Sequence, residues 1–142
     1  MPRRSRKRQK ATLRYPKYAV KPEDLLHFIE LEGFEDDWKR LGLDDEALFA
    51  LELAIMAGGK GSPIIRGTGG LRKLRFAPDT WDVGKSSGVR VCFAYFEKHF
   101  LVLLIVAYSK SERDNLSAAA KNLYRKMLKE AERELEKTGT IQ

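Results

Sequence analysis

The sequence predicts an α+β domain that combines a small, mainly antiparallel sheet with an N-terminal helical hairpin and a C-terminal helix. A chain of 142 residues is long enough for one domain. Its first half carries apolar residues at helical spacing, its centre carries alternating and then continuous apolar runs, and its last quarter returns to helical spacing. Because helices and strands fall in separate blocks, we expect the helices to pack on one sheet.

The first part of the domain is predicted to be a strand followed by two helices. We expect a short strand around His27–Glu32. Apolar residues between Phe34 and Leu41 recur at i, i+4 and i+7, which predicts a helix that Gly42 ends. Asp44 is a suitable N-cap for a second helix that runs to the glycines at 58 and 59. The apolar face of that helix contains Leu48, Leu51, Ile55 and Met56.

The second part of the domain is predicted to contain three strands and the last helix. A glycine-rich loop over residues 58–70 leads into a strand at Leu71–Phe76. Alternation predicts a second strand at Val89–Glu97, and the continuous apolar run Phe100–Tyr108 predicts a central strand that pairs with it. Ser117 caps the final helix. Its apolar stripe contains Ala120, Leu123, Tyr124, Met127, Leu128, Ala131 and Leu135.

The charges are distributed unevenly along the chain. Residues 1–21 contain nine bases and no acid, residues 22–59 contain eleven acids and two bases, and residues 60–113 contain ten bases and four acids. We expect residues 1–24 to be a basic, disordered extension and residues 25–138 to be the folded domain. The two basic regions favour a polyanionic partner, and the extension is predicted either to add affinity for ribosomal RNA or to remain a solvated tail.

Composition excludes several classes of protein and of site. The longest apolar run is too short to span a bilayer, and no apolar stretch follows the first charges, so we expect neither a membrane protein nor a secretory signal. One cysteine, Cys92, allows no internal disulfide, which favours the cytoplasm. With only His27 and His99 in addition, a zinc site is not expected, and we predict neither a metal nor another cofactor.

Three other arrangements are weighed against simpler interpretations. His27 and His99 are an acid–base pair in principle, but a histidine in a hairpin turn is more often just exposed. The sequence Gly67-Thr68-Gly69-Gly70 lacks the Walker lysine and leads into a strand, so glycines that permit a tight turn explain it better than nucleotide binding. Cys92 lies within a strand, where a small core residue is more common than a nucleophile.

A concentration of cations on or beside the three predicted strands remains. Its members are Arg72, Lys73, Arg75, Lys85, Arg90 and Lys110. Such charges often only face solvent. However, Lys73 and Arg75 point the same way from one strand and Arg90 begins the next, so three cations converge on one phosphate if the strands pair. Converging cations stabilise the transition state of phosphodiester cleavage, and RNA supplies its own nucleophile, the 2′-hydroxyl.

Three segments in order, Gly67–Phe76, Gly84–Val91 and Ala107–Ser117, resemble the HigB-like branch of the RelE/ParE toxin superfamily. The resemblance covers about residues 27–136. It implies a RelE-like fold and the role of toxin in a type II toxin–antitoxin system. It further implies a metal-independent endoribonuclease, an mRNA interferase that cleaves mRNA in the ribosomal A site, leaves a 2′,3′-cyclic phosphate and thereby inhibits translation in the cytoplasm.

The resemblance also implies roles for individual residues. Arg75 and Arg90 are expected to contact the phosphate and the transition state, Lys73 to act as general base or to stabilise charge, and Lys110 to contact the leaving group or phosphate. Further RNA contacts are expected from Arg72, Lys85, Tyr108 and Arg113. Leu116 stands near the place of a tyrosine that RelE has after its last strand, so Tyr108 or Trp81 are the candidates for stacking.

The resemblance implies partners and leaves two other functions open. The expected partners are a cognate helix-turn-helix antitoxin, the ribosome and mRNA, with operator DNA bound only through the antitoxin complex and no membrane. The first alternative is a ParE-like inhibitor of DNA gyrase, a branch that lacks the basic cleavage cluster. The second is a noncatalytic nucleic-acid-binding protein, which would tolerate Arg→Lys exchanges that an enzyme would not.

Overall fold

The computed structural model describes residues 13–15, 18–81 and 88–139, with side chains from residue 20 onward, and it has α+β architecture. The strands are β1 (Leu13–Tyr15), β2 (Tyr18–Val20), β3 (His27–Glu30), β4 (Leu71–Phe76), β5 (Val89–Phe96) and β6 (Leu101–Ser109). The helices are α1 (Glu32–Arg40), α2 (Asp45–Ala57) and α3 (Ala118–Thr138). In the described ranges, no helix is both long and apolar enough to cross a membrane.

The main sheet has four strands in the order β3-β6-β5-β4. Strands β4, β5 and β6 form an antiparallel meander, while β3 pairs with β6 in parallel and lies at one edge. The predicted central hairpin of β5 and β6 is therefore confirmed. A parallel partner at the edge is possible because α1 and α2 provide the long crossover connection that parallel pairing requires.

Helices cover both faces of this sheet. Phe34 and Trp38 of α1 and Leu51 of α2 pack on one face, in a core that the inward side chains of β5 and β6 complete. Leu128 of α3 packs on the opposite face, together with Tyr124 and Ala131. Both central strands are buried almost throughout because both of their faces are covered, which explains the continuous apolar sequence of β6. Leu123 was wrongly placed on the buried stripe of α3, since it is 56% exposed.

The predicted helix boundaries have the expected capping contacts. The Asp44 side chain accepts a hydrogen bond of 2.9 Å from the backbone N–H of Ala47, and the Ser117 hydroxyl accepts one of 3.1 Å from the N–H of Ala120. Gly42 follows α1 with φ +75°, a conformation that favours glycine. These three signals therefore end α1 and begin α2 and α3 where the sequence predicts.

A small N-terminal hairpin corrects the predicted domain boundary. Strands β1 and β2 pair in antiparallel register, Pro22–Asp24 form a turn of 3-10 helix, and the Val20 side chain is buried against Leu53 and Met56 of α2. The prediction of disorder up to residue 24 is thus wrong for these residues, because the hairpin gains an apolar contact with α2. Residues 1–12, which carry six of the bases of the predicted extension, lie outside the described residues.

A charged network ties α1 to the end of β6. The Arg40 guanidinium donates to Asp37 at 2.7 Å and to Glu112 at 2.8 Å, and the second Asp37 oxygen accepts from the N–H of Ala107 at 3.0 Å. Glu112 also accepts from the N–H of Ser109 at 2.9 Å. Helix α1, on the sheet face opposite α3, therefore holds the turn after β6 in place.

This network predicts a contribution to stability that depends on pH. The side-chain bond from Arg40, followed by the backbone bond from Ser109, lowers the pKa of Glu112 to about 2. A lowered carboxyl pKa stabilises the fold above the unfolded pKa of about 4.3, and this stabilisation is lost as the pH falls from about 4.5 to 2. We expect Glu112→Gln to reduce the loss in free energy of unfolding as the pH falls, measured by urea unfolding between pH 2 and 7.

The effect at neutral pH should be small. Because the Glu112 side chain is 35% exposed, solvent screens the pair and we expect less than about 1 kcal/mol at pH 7. Glu132→Gln, at an exposed carboxylate with no ion pair among the described residues, is the matched control. An acid limb that is equally steep in wild type and in Glu112→Gln would contradict the assignment.

Candidate functional site

Strand pairing brings three of the predicted cations to one face of the sheet. Arg75 lies opposite Arg90, which lies opposite Tyr108, and Lys73 lies opposite Cys92 in the next row on that face. Directly opposed side chains in a sheet share a face and have Cβ atoms about 4.5–5.5 Å apart. Lys73, Arg75 and Arg90 are therefore neighbours on the face that α3 covers, as the sequence predicts.

The three cations differ in how accessible they are. Arg75 is exposed and Lys73 is half-buried, and neither forms a hydrogen bond through its side chain or an ion pair with a described residue. Arg90 is only 5% exposed, and its Nη1 donates to the carbonyl of Gly88 at 3.1 Å. Arg90 is thus better placed to fix the start of β5 and to add positive potential than to make the direct phosphate contact that was predicted.

An open groove runs along β4 beside these cations. It has a volume of about 520 Å³ and is lined by residues 62–65 and 73–75. The N–H of Lys73 donates to the carbonyl of Pro63 at 3.1 Å, so odd-numbered backbone groups of β4 point to this outer edge. Beyond Lys73, the backbone N–H and C=O of Arg75 also point outward and form no hydrogen bond with a described residue. The groove therefore offers cations and free backbone groups together.

Tyr108 was predicted to contact RNA, and its burial shows that this prediction is wrong. The residue is fully buried, and the Arg113 guanidinium carbon lies 5.0 Å from the centre of its ring. Burial, together with the neighbouring Cys92 thiol, raises the pKa of Tyr108 to about 12. Its hydroxyl finds no hydrogen-bond partner of normal geometry among the described residues. Tyr108 is therefore a core residue that packs next to Arg90 and does not contact solvent.

Tyr108→Phe is expected to leave the fold intact and to change the free energy of unfolding by less than about 1 kcal/mol. The hydroxyl has no hydrogen-bond partner of normal geometry among the described residues, and only the Cys92 thiol, a weak hydrogen-bonding group, lies beside it, so its removal breaks no strong bond. Urea unfolding measures the change. Tyr95→Phe, at a half-buried tyrosine, is the control and should change stability little. A loss of more than 1 kcal/mol for Tyr108→Phe would show that its hydroxyl is bonded in the folded state.

The remaining predicted contacts are not all brought together. Arg72 lies on the opposite face from Lys73 and Arg75, and its Nη1 donates to the carbonyl of Ser62 at 2.7 Å. Because side chains alternate along β4, Arg72 is not part of the surface that Lys73 and Arg75 form, and its RNA contact stays a prediction. Lys85 lies outside the described residues.

Two further cations lie in the turn that follows β6. Lys110 and Arg113 are both exposed, and Lys110 forms no hydrogen bond or ion pair with a described residue. Ser109 pairs with Val89, so this turn starts at the same end of the sheet as the Arg75–Arg90 pair. Lys110 and Arg113 therefore follow β6 at the same end of the sheet as Arg75 and Arg90, in a turn that Glu112 and Arg40 hold.

One residue of the site was not predicted. Tyr124 of α3 is half-buried in the same core as Tyr108 and Cys92, with the Arg113 charge close enough to affect it, although burial is the larger effect and raises its pKa. In the sequence, Tyr124 is predicted only to be part of the apolar stripe of α3. The half-exposed ring provides an aromatic surface beside Arg113, whereas Trp81, the other stacking candidate, packs against the core on the opposite face.

The two histidines and Cys92 are poorly placed for acid–base or nucleophilic chemistry at this site. His27 pairs with Leu101 at the start of β6, and His99 lies in the turn before it, so both are at the opposite end of β6 from Tyr108, about 23 Å along the strand. Burial raises the pKa of Cys92 to about 11, which keeps its thiol protonated at neutral pH. Within the described ranges, no group of three His, Cys, Asp or Glu residues is arranged to hold a metal ion.

No protein-family model matches this sequence. The site combines an accessible arginine, a half-buried lysine and a buried arginine on one sheet face with a groove beside them. Such a surface binds a phosphodiester and stabilises additional negative charge on it.

Proposed function

We propose that this protein is the toxin of a type II toxin–antitoxin system with a RelE-like fold, and that it cleaves mRNA on the ribosome. The observation that carries the proposal is the convergence of Lys73, Arg75 and Arg90 on one face at one end of the sheet. The element order and the resemblance of three ordered segments to HigB-like toxins support it. The cognate antitoxin, a helix-turn-helix protein, neutralises it in the cytoplasm.

The proposed reaction uses the RNA as its own nucleophile. The 2′-hydroxyl loses its proton and its oxygen attacks the adjacent phosphorus, while the bond from phosphorus to the 5′-oxygen of the next nucleotide breaks. The products are a 2′,3′-cyclic phosphate and a 5′-hydroxyl, which takes up a proton. Atoms and charge balance without an external nucleophile or a metal ion. The protein therefore needs only to position the RNA and to stabilise charge.

Each cation has a distinct part in this reaction. Arg75 is accessible and binds two phosphate oxygens through its planar guanidinium. Lys73 lies one row away. As a cation it stabilises the charge that develops on the attacking oxygen, and only in its uncharged amine form does it instead accept the proton of the 2′-hydroxyl. Arg90 adds positive potential from a buried position. Lys110 contacts the leaving group or its phosphate from the turn after β6, and Tyr124 stacks on a base in place of Tyr108.

Inducible expression with primer extension on an abundant mRNA tests this function. We expect wild type to arrest growth and to produce cuts within translated codons. Arg75→Ala should abolish the cuts, and it is a cleaner variant than any change of Arg90, whose burial makes it important for folding. Lys98→Ala removes the same charge from an exposed turn at the far end of the sheet and should cut like wild type.

Two outcomes would overturn the proposal. Growth arrest with intact mRNA would favour inhibition of DNA gyrase instead. Binding of RNA without growth arrest or cuts would favour a noncatalytic nucleic-acid-binding protein. In both cases Arg75→Ala would have no effect on the length of transcripts, which distinguishes these results from a cleavage enzyme that is merely weak.

A further inference from the structure

A second group of cations lies where α3 meets the loop before β4. Its members, which we call the loop–helix patch, are Arg66, Lys121, Arg125 and Lys129. The last three are spaced at i, i+4 and i+8, so they lie along one side of α3. None of the four belongs to the cation cluster on β4 and β5.

Close packing of two glycines holds the loop against the helix. The Arg125 Nη1 lies 3.5 Å from the carbonyl of Gly67, and a Cβ on Gly69 would lie 3.2 Å from Arg125 Cγ. Gly67 and Gly69 have φ angles of +84° and +74°, so the loop depends on glycine for its conformation as well. This packing brings Arg66, the neighbour of Gly67, next to the basic side of α3.

The charge of the loop–helix patch is not neutralised locally. Residues 60–76 contain five bases and no acid, and residues 116–129 contain four bases and no acid. None of the four patch cations forms an ion pair with a described residue. The first acid of α3 is Glu130, after the patch has ended. A continuous positive potential therefore extends from the loop along the first half of α3.

The composition of this surface fits a nucleic acid better than a protein. Protein interfaces depend on buried aromatic and apolar anchors and are depleted in lysine. The large exposed apolar side chains of the described chain are Leu25, Phe49, Ile64, Phe100 and Leu123. Of these, Ile64 and Leu123 lie within two residues of a patch cation along the chain, and neither is aromatic. Lysine and arginine without aromatic anchors are instead typical of contacts to a phosphate backbone.

We infer that the loop–helix patch binds the sugar–phosphate backbone of an RNA strand outside the nucleotide that reacts. The RNA class rests on the proposed function, whereas the preference for a polyanion rests on the charges alone. Arg75 lies four residues after Leu71, the first residue beyond the loop, or about 13 Å along the strand. A single RNA strand can therefore contact the patch and the groove of β4 at once.

Salt dependence of RNA binding tests this inference without requiring cleavage. The probe is a fluorescent 20-nucleotide oligouridylate, and the measurement is its affinity across a series of KCl concentrations. Each phosphate contact to single-stranded RNA contributes about 0.7 to the slope of log K against log salt. We expect the triple variant Arg66→Gln, Lys121→Gln, Arg125→Gln to lower the magnitude of the slope by about 2.

A matched control removes cations elsewhere. The control is the triple variant Lys39→Gln, Lys98→Gln, Lys137→Gln. These lysines lie on the exposed side of α1, in the turn between β5 and β6, and in the last turn of α3. This control should lower the magnitude of the slope by clearly less than the patch variant. Far-UV circular dichroism and urea unfolding establish that both triple variants are folded. Lys121→Gln alone, which keeps Arg125 and its contact with Gly67, gives a second test with an expected change of about 0.7.

Three outcomes separate the possibilities. A slope that falls only in the patch variant supports the inference, even if wild type fails to cleave RNA and the proposed function is wrong. Equal slopes in the patch variant and wild type would overturn it. Unchanged RNA binding combined with lost binding of poly-glutamate of equal length would also overturn it and would assign the patch to an acidic protein segment.

Discussion

Replacing Arg75 with lysine is expected to reduce the rate of RNA cleavage by about 100-fold while it leaves RNA affinity within about threefold. Loss of one well-placed donor to a developing oxyanion costs about 10²–10³ in rate. Lysine keeps the charge, and therefore the counterion-driven affinity, but it lacks the planar fork that binds two oxygens together. Arg75 is the position where this difference matters most, because it is the accessible arginine of the site. Single-turnover cleavage and fluorescence anisotropy measure the two quantities.

The control for Arg75→Lys is the same exchange at Arg133. Arg133 is exposed on α3, outside the site on β4 and outside the loop–helix patch, and its ion pair with Glu130 is exposed as well. Arg133→Lys should therefore leave both cleavage and affinity within about twofold of wild type. If Arg75→Lys cleaved as fast as wild type, Arg75 would act only as a point charge, and the assignment of bidentate phosphate contact would be wrong.

Replacing Trp38 with alanine is expected to lower the free energy of unfolding by about 3–5 kcal/mol. Trp38 is 5% exposed, stacks on Phe34 with ring centres 5.3 Å apart, and lies 6.1 Å from the ring of Phe76. Its indole N–H donates to the carbonyl of Asp44 at 3.0 Å, so it joins the two helices to the last residue of β4. A loss of this size is a large fraction of the 5–15 kcal/mol typical of a domain.

Trp38→Phe separates packing from hydrogen bonding. Phenylalanine retains most of the apolar contact but loses the donor to Asp44, so we expect about 1–2 kcal/mol of destabilisation, measured by urea unfolding. Because unfolded protein does not cleave RNA, Trp38→Ala should also lower the cleavage rate in proportion to the unfolded fraction. Equal stability of Trp38→Ala and wild type would contradict the packing described for α1.

Most of the main sheet and all three helices could be predicted because their signals are local. Asp44 and Ser117 cap helices through contacts to residues three positions later, and large apolar residues alternate along the sequence of β5. The β1–β2 hairpin could not be predicted, since each of its strands has only three residues and its stabilising contact is made by Val20 with a distant helix. A periodic pattern needs a longer segment.

The site was predicted less completely than the fold. Alternation shows that Lys73 and Arg75 share a face, which is a property of the strand alone. The burial of Arg90 and Tyr108 instead depends on where α3 and the turn after β6 cover the sheet. The run Leu101–Tyr108 is apolar on both faces, and the register shifts between Cys92 and Phe93, so the sequence contains no signal for the surroundings of Tyr108.

In the proposed mechanism, cations on one sheet face stabilise the attack of the RNA's own 2′-hydroxyl on the adjacent phosphorus. End-group analysis of an mRNA held in purified ribosomes, with a defined codon in the A site, tests this claim most directly. We predict that wild type produces 2′,3′-cyclic phosphate and 5′-hydroxyl ends, that Lys98→Ala does the same, and that Arg75→Ala produces neither. Intact mRNA with wild type, or products that end in 3′-hydroxyl and 5′-phosphate, would contradict the claim.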